Sequence, residues 1–184
     1  MSAPHRTLDE LRAALPHIEE SPKDGGLLRL IVRRPGLGTR EVLNEAQLDV
    51  TIGLVGDTWR NRRSPRGKDR SPNPDTQVKI MNARAIALVA YSEERWPLAG
   101  DQLYLDLDLS DENLPAGTRL ALGSAVIEVT AEPHIGCRKF SERFGVDATK
   151  FVNSTEGRRL HLRGINAKVV HSGTIRVGDI ASKR

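Results

Sequence analysis

The chain holds a single cysteine, Cys137, within the stretch EVTAEPHIGCRKFSERFG. His134 precedes it by three positions, and Arg138 and Lys139 follow it directly. The thiolate is the reactive form of cysteine, and nearby cations stabilise it. Arg138 and Lys139 are therefore candidates to activate Cys137, with His134 as a base or ion-pair partner. Gly136 allows the backbone to pass close to a ligand. If residues 140–144 form a short helix, Cys137 lies near its N-terminal end, where the dipole also favours an anion. Such a thiolate is a nucleophile or a soft ligand for a metal. The competing reading is an inert thiol packed as a small hydrophobe.

Other residues offer less specific chemistry. The segment TWRNRRSPRGKDRSPNPD places Arg60, Arg62, Arg63, Arg66, Lys68 and Arg70 in one stretch rich in Ser, Pro, Gly and Asn. It reads as a loop, either a solvated one or a flap of cations for an anion such as phosphate. Its only aromatic is Trp59 at the start, which weakens a single-stranded nucleic-acid reading. Asp101 in AGDQLY and Asp179 in VGDI follow glycines, so each is a turn former or a ligand-facing carboxylate. His134 and Cys137 make half of a zinc pattern. With no second cysteine, His161 and His171 would have to complete it by folding alone. GLGTRE and GLVGD lack the spacing of a phosphate loop, and no G-x-S-x-G elbow occurs.

These residues must be placed by surrounding elements. Thr7 and Glu10 make a capping-box pattern, and Leu8, Leu11, Leu15 and Ile18 recur at helical spacing, so a helix is expected over 7–20 with Pro16 ending or kinking it. SPKDGG then reads as a linker. Strands are expected in LLRLIVRRP, TREVLNEAQLDV and QVKIMN, followed by a helix in ARAIALVAYSEERW. In QLYLDLDLS, Leu103, Leu105, Leu107 and Leu109 alternate with polar residues, the mark of a half-buried strand. LPAGTRLALGSAVIEVTAEP predicts two strands with a tight Gly-Ser connection, and INAKVVHSGTIRVGDI a hairpin turning at Ser172 and Gly173. Many short strands with regular glycine turns point to a closed or nearly closed barrel.

The chain has 184 residues, 38% hydrophobic and 28% charged, which is one globular domain with room for a core. Aromatics are only 4%, so the core is expected to be aliphatic. A net charge of +4 and a pI of about 9.5 permit nucleic-acid binding without indicating it. No apolar run reaches the ~20 residues of a spanning helix, and the N-terminus is too acidic for a secretory signal. A free thiol suits a reducing compartment. The expectation is a cytoplasmic protein with neither nucleic-acid nor membrane partners.

The ordered set GLVGDTWR, QVKIMN, AGDQLYLDLDLS, NLPAGTRLALGSAVIEVT, PHIGCRKF and RGINAKVVHSGTIRVGD resembles the MOSC domain, named after the C-terminal domain of molybdenum cofactor sulfurase. The likeness runs from about Leu27 to Ile180. It divides the chain into an extension at 1–26 and a MOSC domain at 27–184. It implies a mostly β protein, a MOSC-type β-barrel with a few peripheral α-helices. It also implies binding of the molybdenum cofactor (molybdopterin), with Cys137 carrying sulfur as a persulfide or ligating molybdenum. The enzyme activities it suggests are sulfur transfer to the cofactor and reduction of N-hydroxylated compounds. There is no room for a desulfurase domain, so no pyridoxal phosphate is expected on this chain. Sulfur or electrons would come from a partner, a cysteine desulfurase or an electron-donor protein. Residues placed at the cofactor are Cys137, His134, Gly136, Arg138, Lys139, Arg62, Arg63, Arg163 and Asp101. The long basic insertion departs from many members of the family. The alternative is a non-catalytic barrel module that binds another anion or a protein, its thiol inert.

Overall fold

The structure, a computed structural model, describes residues 4–61 and 71–184. Thr7 caps the first helix, α1 (Leu8–Ala13). Its hydroxyl accepts from the Glu10 amide at 3.3 Å, and the Glu10 carboxylate accepts from the Thr7 amide at 2.7 Å. The expected single helix is in two pieces. A second, α2 (Leu15–Glu19), starts after Ala14 with Pro16 in its first turn, where a missing N–H costs nothing.

The strands follow as β1 (Gly26–Arg33), β2 (Glu41–Leu43), β3 (Glu45–Asp49), β4 (Gly53–Leu54) and β5 (Val78–Asn82). Helix α3 (Ala83–Ala90) and a 3-10 segment (Glu93–Ala99) lead to β6 (Leu103–Asp106), β7 (Arg119–Leu122) and β8 (Ala125–Val129). Three short helices come next, α4 (Arg138–Phe144), α5 (Val146–Asn153) and α6 (Thr155–Arg159). The chain ends in β9 (Ile165–His171), β10 (Gly173–Arg176) and β11 (Ile180–Lys183).

Seven strands close into a barrel in the order β1, β6, β5, β9, β8, β7, β11. The seam is the antiparallel pair β1–β11, with Gly26 opposite Ala181 and Leu27 opposite Ile180. Gly26 also packs closely on its other neighbour β6, since a Cβ there would come within 2.7 Å of the Asp106 carbonyl oxygen. Among these pairings only β5–β6 is parallel. The crossover between them is α3 and the 3-10 segment. Asn82 starts α3 by accepting from the amides of Arg84 and Ala85 at 2.8 and 3.0 Å.

Alternation along the strands sorts side chains into two cores. Ile31, Ile80, Leu103 and Leu105 point into the barrel, and the core cluster there contains only aliphatic residues. Val32, Met81 and Tyr104 point outward, where α1, α3, α4 and α5 cover them with Leu11, Ile86, Phe140 and Phe151. This corrects one expectation. QLYLDLDLS is not a half-buried strand: β6 is only four residues long, and both of its faces are covered. The extension is part of this packing, with Leu11 fully buried and Ile18 nearly so.

The expected hairpin at Ser172 and Gly173 does not form. β10 leaves β9 and pairs antiparallel with β3, Gly173 opposite Leu48, to make a small sheet with β4. The edges of β9 are already taken by β5 and β8, and Ser172 instead accepts from the Val50 amide at 3.0 Å. The tight connection at Gly123 and Ser124 forms as expected, joining β7 and β8 with Leu122 opposite Ala125.

Candidate functional site

From the end of β8 the chain runs without regular structure from about residue 130 to Cys137, which is the N-cap of α4. Two asparagines fix this path. Asn166 of β9 donates to the carbonyls of Glu132 and Pro133 at 3.0 and 3.3 Å. Asn153, at the end of α5, accepts from the Gly136 amide at 2.9 Å and donates to its carbonyl at 3.0 Å. Gly136 thus packs on α5, where a Cβ would meet the Val152 side chain at 2.9 Å. Its backbone is spoken for by Asn153 rather than turned to a ligand. Cys137 is held by its neighbours, yet its side chain is exposed and makes no capping bond.

Cys137 stands at the edge of a cleft of about 680 Å³. Its wall includes six cations, Arg34, Arg40, Lys79, Lys139, Arg143 and Arg163, together with His134. No carboxylate lines it among the described residues. These side chains come from the loop after β1, from β5, from the segment between β8 and α4, from α4 and from the turn before β9. Arg34 is neutralised in place by Asp57, which accepts from its Nε at 2.8 Å and its Nη2 at 2.7 Å, and both side chains are buried. Arg40 has no such partner among the described residues. It donates to the Pro97 and Thr39 carbonyls, and burial followed by the charges of Arg143 and Arg34 pulls its pKa below the ordinary arginine value. Arg40 and Arg143 both come within 4 Å of where a Cβ of Gly100 would sit. Like charges so gathered are stabilised by an anion.

Asp101, His134 and Arg163 form one buried unit beside the cleft. Asp101 is fully buried, and accepts from Arg163 Nη1 at 2.6 Å and from His134 Nε2 at 2.7 Å. Burial alone would raise its pKa. The Arg163 guanidinium and the His134 bond outweigh that and hold the carboxyl well below the usual carboxylate range. Arg163 also donates to the Ala99 carbonyl at 2.8 Å and stacks its guanidinium 4.9 Å from the Phe140 ring centre. For His134, burial and the Arg163 charge outweigh the pull of Asp101 and push the pKa down to about 4. The imidazole is therefore neutral at pH 7. Because the ionised Asp101 can only accept, Nε2 carries the proton and Nδ1 the lone pair. His134 is thus an acceptor at neutral pH rather than an imidazolium partner for a thiolate.

The residues singled out in the sequence do not all come together. Cys137, His134, Lys139 and Arg163 line the cleft. Asp101 lies behind it as the anchor of His134 and Arg163, neither a turn former alone nor ligand-facing. Arg138 is absent from the lining; its side chain is 92% exposed and pairs with Glu142 at 2.8 Å, one helical turn on. Arg62 and Arg63 lie outside the described residues, although Thr58 and Asn61 just before them line the cleft. Asp179 is a turn former, accepting from the Arg176 amide at 2.7 Å. Among the described residues no three His, Cys, Asp or Glu side chains gather as metal ligands. Sequence reasoning missed Arg34, Arg40, Lys79, Arg143 and Asn153. Asn166 lay within the quoted RGIN stretch without a role.

The barrel carries a cation-lined cleft with an exposed thiol at its edge. A model of the MOSC domain matches residues 74–182, more than half of the chain, and the chain belongs to the MOSC domain family. Among solved structures it is similar to the YuaD protein from Bacillus subtilis, with a TM-score of 0.63 and 15% identity over 86% of this chain and 97% of that one. It is also similar to YiiM from Escherichia coli, with a TM-score of 0.56 and 17% identity over 86% and 69% of the two chains. At such identity the likeness establishes the fold. No curated protein sequence matches the chain. No helix among the described residues is long and apolar enough to cross a membrane.

Proposed function

We propose that this protein binds the molybdenum cofactor in the cationic cleft and uses Cys137 to ligate molybdenum or to carry sulfur. The observation that carries this reading is an exposed thiol at the edge of a cleft lined, among the described residues, by six cations and no carboxylate. The donor set fits the group. A molybdopterin presents a phosphate, which pairs with guanidinium and ammonium groups, and a metal that accepts thiolate. Arg40, Arg143 and Lys139 would hold the phosphate, since Arg34 and Arg163 are already paired to Asp57 and Asp101. When bound, the cofactor would supply oxygen, sulfur or electron transfer at the metal. The chain itself supplies the rest. Cys137 offers a soft ligand on a backbone pinned by Asn153 and Asn166. His134 offers an acceptor lone pair at Nδ1 and stays neutral. Arg163, held by Asp101, keeps its guanidinium fixed in the cleft wall. Sulfur or electrons would come from a separate donor protein, and the site would work in the cytoplasm.

The test is metal content and cofactor extraction on protein from molybdenum-replete cells. Wild type is expected to carry molybdenum or a releasable pterin, or a persulfide on Cys137 that cyanide removes. Cys137→Ser should retain the fold, because the side chain is exposed and makes no capping bond, yet lose that load. A Cys137→Ser protein with undiminished load would refute the role of the thiol. An empty wild type that binds inorganic phosphate in the cleft would favour a module for another anion.

A further inference from the structure

Leu37 is 99% exposed, the most exposed of the large apolar side chains among the described residues. It occupies the corner of a turn after β1, closed by the Thr39 amide donating to the Gly36 carbonyl at 3.2 Å, and this turn lines the cationic cleft. Ile135 lines the same cleft two residues before Cys137 and is 53% exposed. Leu98, also exposed, belongs to the same rim: its carbonyl accepts from Nη1 of the cleft-lining Arg143 at 2.6 Å. Single exposed apolar side chains are ordinary on a protein surface. Here three separate segments bring one each to a single opening, which marks an interaction site.

The charge beside these side chains is positive where the thiol stands. Arg138 and Lys139, the first residues of α4, are both exposed and directly follow Cys137. Arg138 pairs with Glu142, but both side chains are largely in water, and an exposed pair of this kind gives way readily to another carboxylate. The cleft behind them adds cations and, among the described residues, no carboxylate. Acidic side chains do occur further out. Glu142 lies on α4, and Glu93 and Glu94 are exposed on the 3-10 segment that carries Leu98. A uniformly anionic bilayer would be repelled by these three. A folded protein can set carboxylates against Arg138 and Lys139 and donors against the glutamates.

We propose that the mouth of the cleft is the docking surface for an acidic protein, whose carboxylates meet Arg138 and Lys139 while an apolar patch covers Leu37, Leu98 and Ile135. The inference rests on the proposed function, in which sulfur or electrons come from a separate protein. It places that protein over the edge where Cys137 is exposed, so that its donor group reaches the thiol. Leu37 has the most area to lose from water and contributes most to the contact.

The test uses peptides as models of such a surface, titrated into the ¹⁵N-labelled full chain in phosphate buffer, which keeps the anion site of the cleft filled. Ac-DEFDELFED-NH2 is acidic and apolar, and Ac-DESDESSED-NH2 has the same charge without the apolar side chains. The first is expected to shift the amides of Leu37, Gly38, Leu98 and Ile135 saturably and to bind at least about five-fold more tightly than the second. Leu37→Ser, a change at a side chain that supports no packing, should weaken the first peptide about three- to ten-fold and leave the second as it was. Arg138→Glu should weaken both, and Ac-KKFKKLFKK-NH2 should not bind. Vesicles of phosphatidylglycerol should retain wild type and Leu37→Ser alike. Equal affinity of the two acidic peptides, binding untouched by Leu37→Ser or by Arg138→Glu, binding of the lysine peptide, or vesicle retention that Leu37→Ser abolishes would overturn the proposal. A separate phosphate titration distinguishes its failure from that of the cleft reading. Phosphate shifts at Gly100 and Arg143 with no preference between the acidic peptides leave the cleft as an anion site and sink the docking surface. The preference without phosphate shifts upholds the docking surface and removes the anion site.

Discussion

Asp101→Asn removes one charge from a unit that water cannot reach. Arg163 would keep its bond to the Ala99 carbonyl and its place over Phe140, but lose its counter-ion while only 7% exposed. Breaking one side of a buried pair costs about 3–5 kcal/mol. The two contacts that survive put the expected loss near the lower end, about 3 kcal/mol. That is a large share of the roughly 5–15 kcal/mol that holds a domain together. With an m-value of about 2 kcal/mol/M in urea, the unfolding midpoint should fall by about 1.5 M. The informative companion is Asp101→Asn with Arg163→Met. Removing both charges avoids the orphan, so the double variant should be at least about 1 kcal/mol more stable than Asp101→Asn alone. Arg163→Met alone should raise the His134 pKa above about 4, because it deletes a repelling cation and leaves Asp101 in place. Urea unfolding and ¹³C-resolved imidazole titration measure the two effects. A midpoint for Asp101→Asn within about 0.3 M of wild type, or strict additivity in the double variant, would mean the pair is not desolvated as described.

His134 also predicts an acid-sensitive fold. Its folded pKa of about 4 lies below the ordinary 6.5, so the unfolded chain binds the extra proton first. Stability should fall by about 3 kcal/mol as the pH drops from above 6.5 to 4, and Asp101 adds a further loss below its own ordinary pKa of 3.8. His134→Gln should flatten the loss between pH 6.5 and 4 in urea melts; an unchanged slope would place the acid sensitivity elsewhere. Leu11→Ala should cost about 2–4 kcal/mol, since the side chain is fully buried against the helices outside the barrel. A cost under about 0.5 kcal/mol in the same assay would show that the N-terminal helix only rests on the body.

Much of the scaffold was legible from local pattern. Alternation of apolar residues and glycine turns marked most barrel strands, and closure followed from their number and brevity. The sequence admits a short helix after Cys137 only conditionally, over 140–144, and in the structure it starts earlier, at Arg138 with Cys137 as its N-cap. Two local readings failed for a shared reason. In QLYLDLDLS and at Ser172 and Gly173 the chain's own pattern was correct, but its neighbours were distant in sequence: helices covering the outer face of β6, and β3 capturing β10. Burial and strand pairing are properties of the partner, which a local window does not contain.

The site shows the same division at the scale of single side chains. Cys137 could be singled out by type, since it is the only thiol and has cationic neighbours. Which neighbours serve the cleft could not. Successive residues on a helix turn by about 100°, so Arg138 and Lys139 diverge, the first to Glu142 and solvent and the second to the cleft. The cations that crowd the site, Arg34, Arg40, Lys79 and Arg143, come from segments far apart in the chain, and their convergence exists only once the barrel has closed. Asp101 is the clearest case. Its surroundings in AGDQLY signal a turn, yet folding buries it between an arginine and a histidine from elsewhere, and the desolvation and opposed charges found there set the protonation of His134.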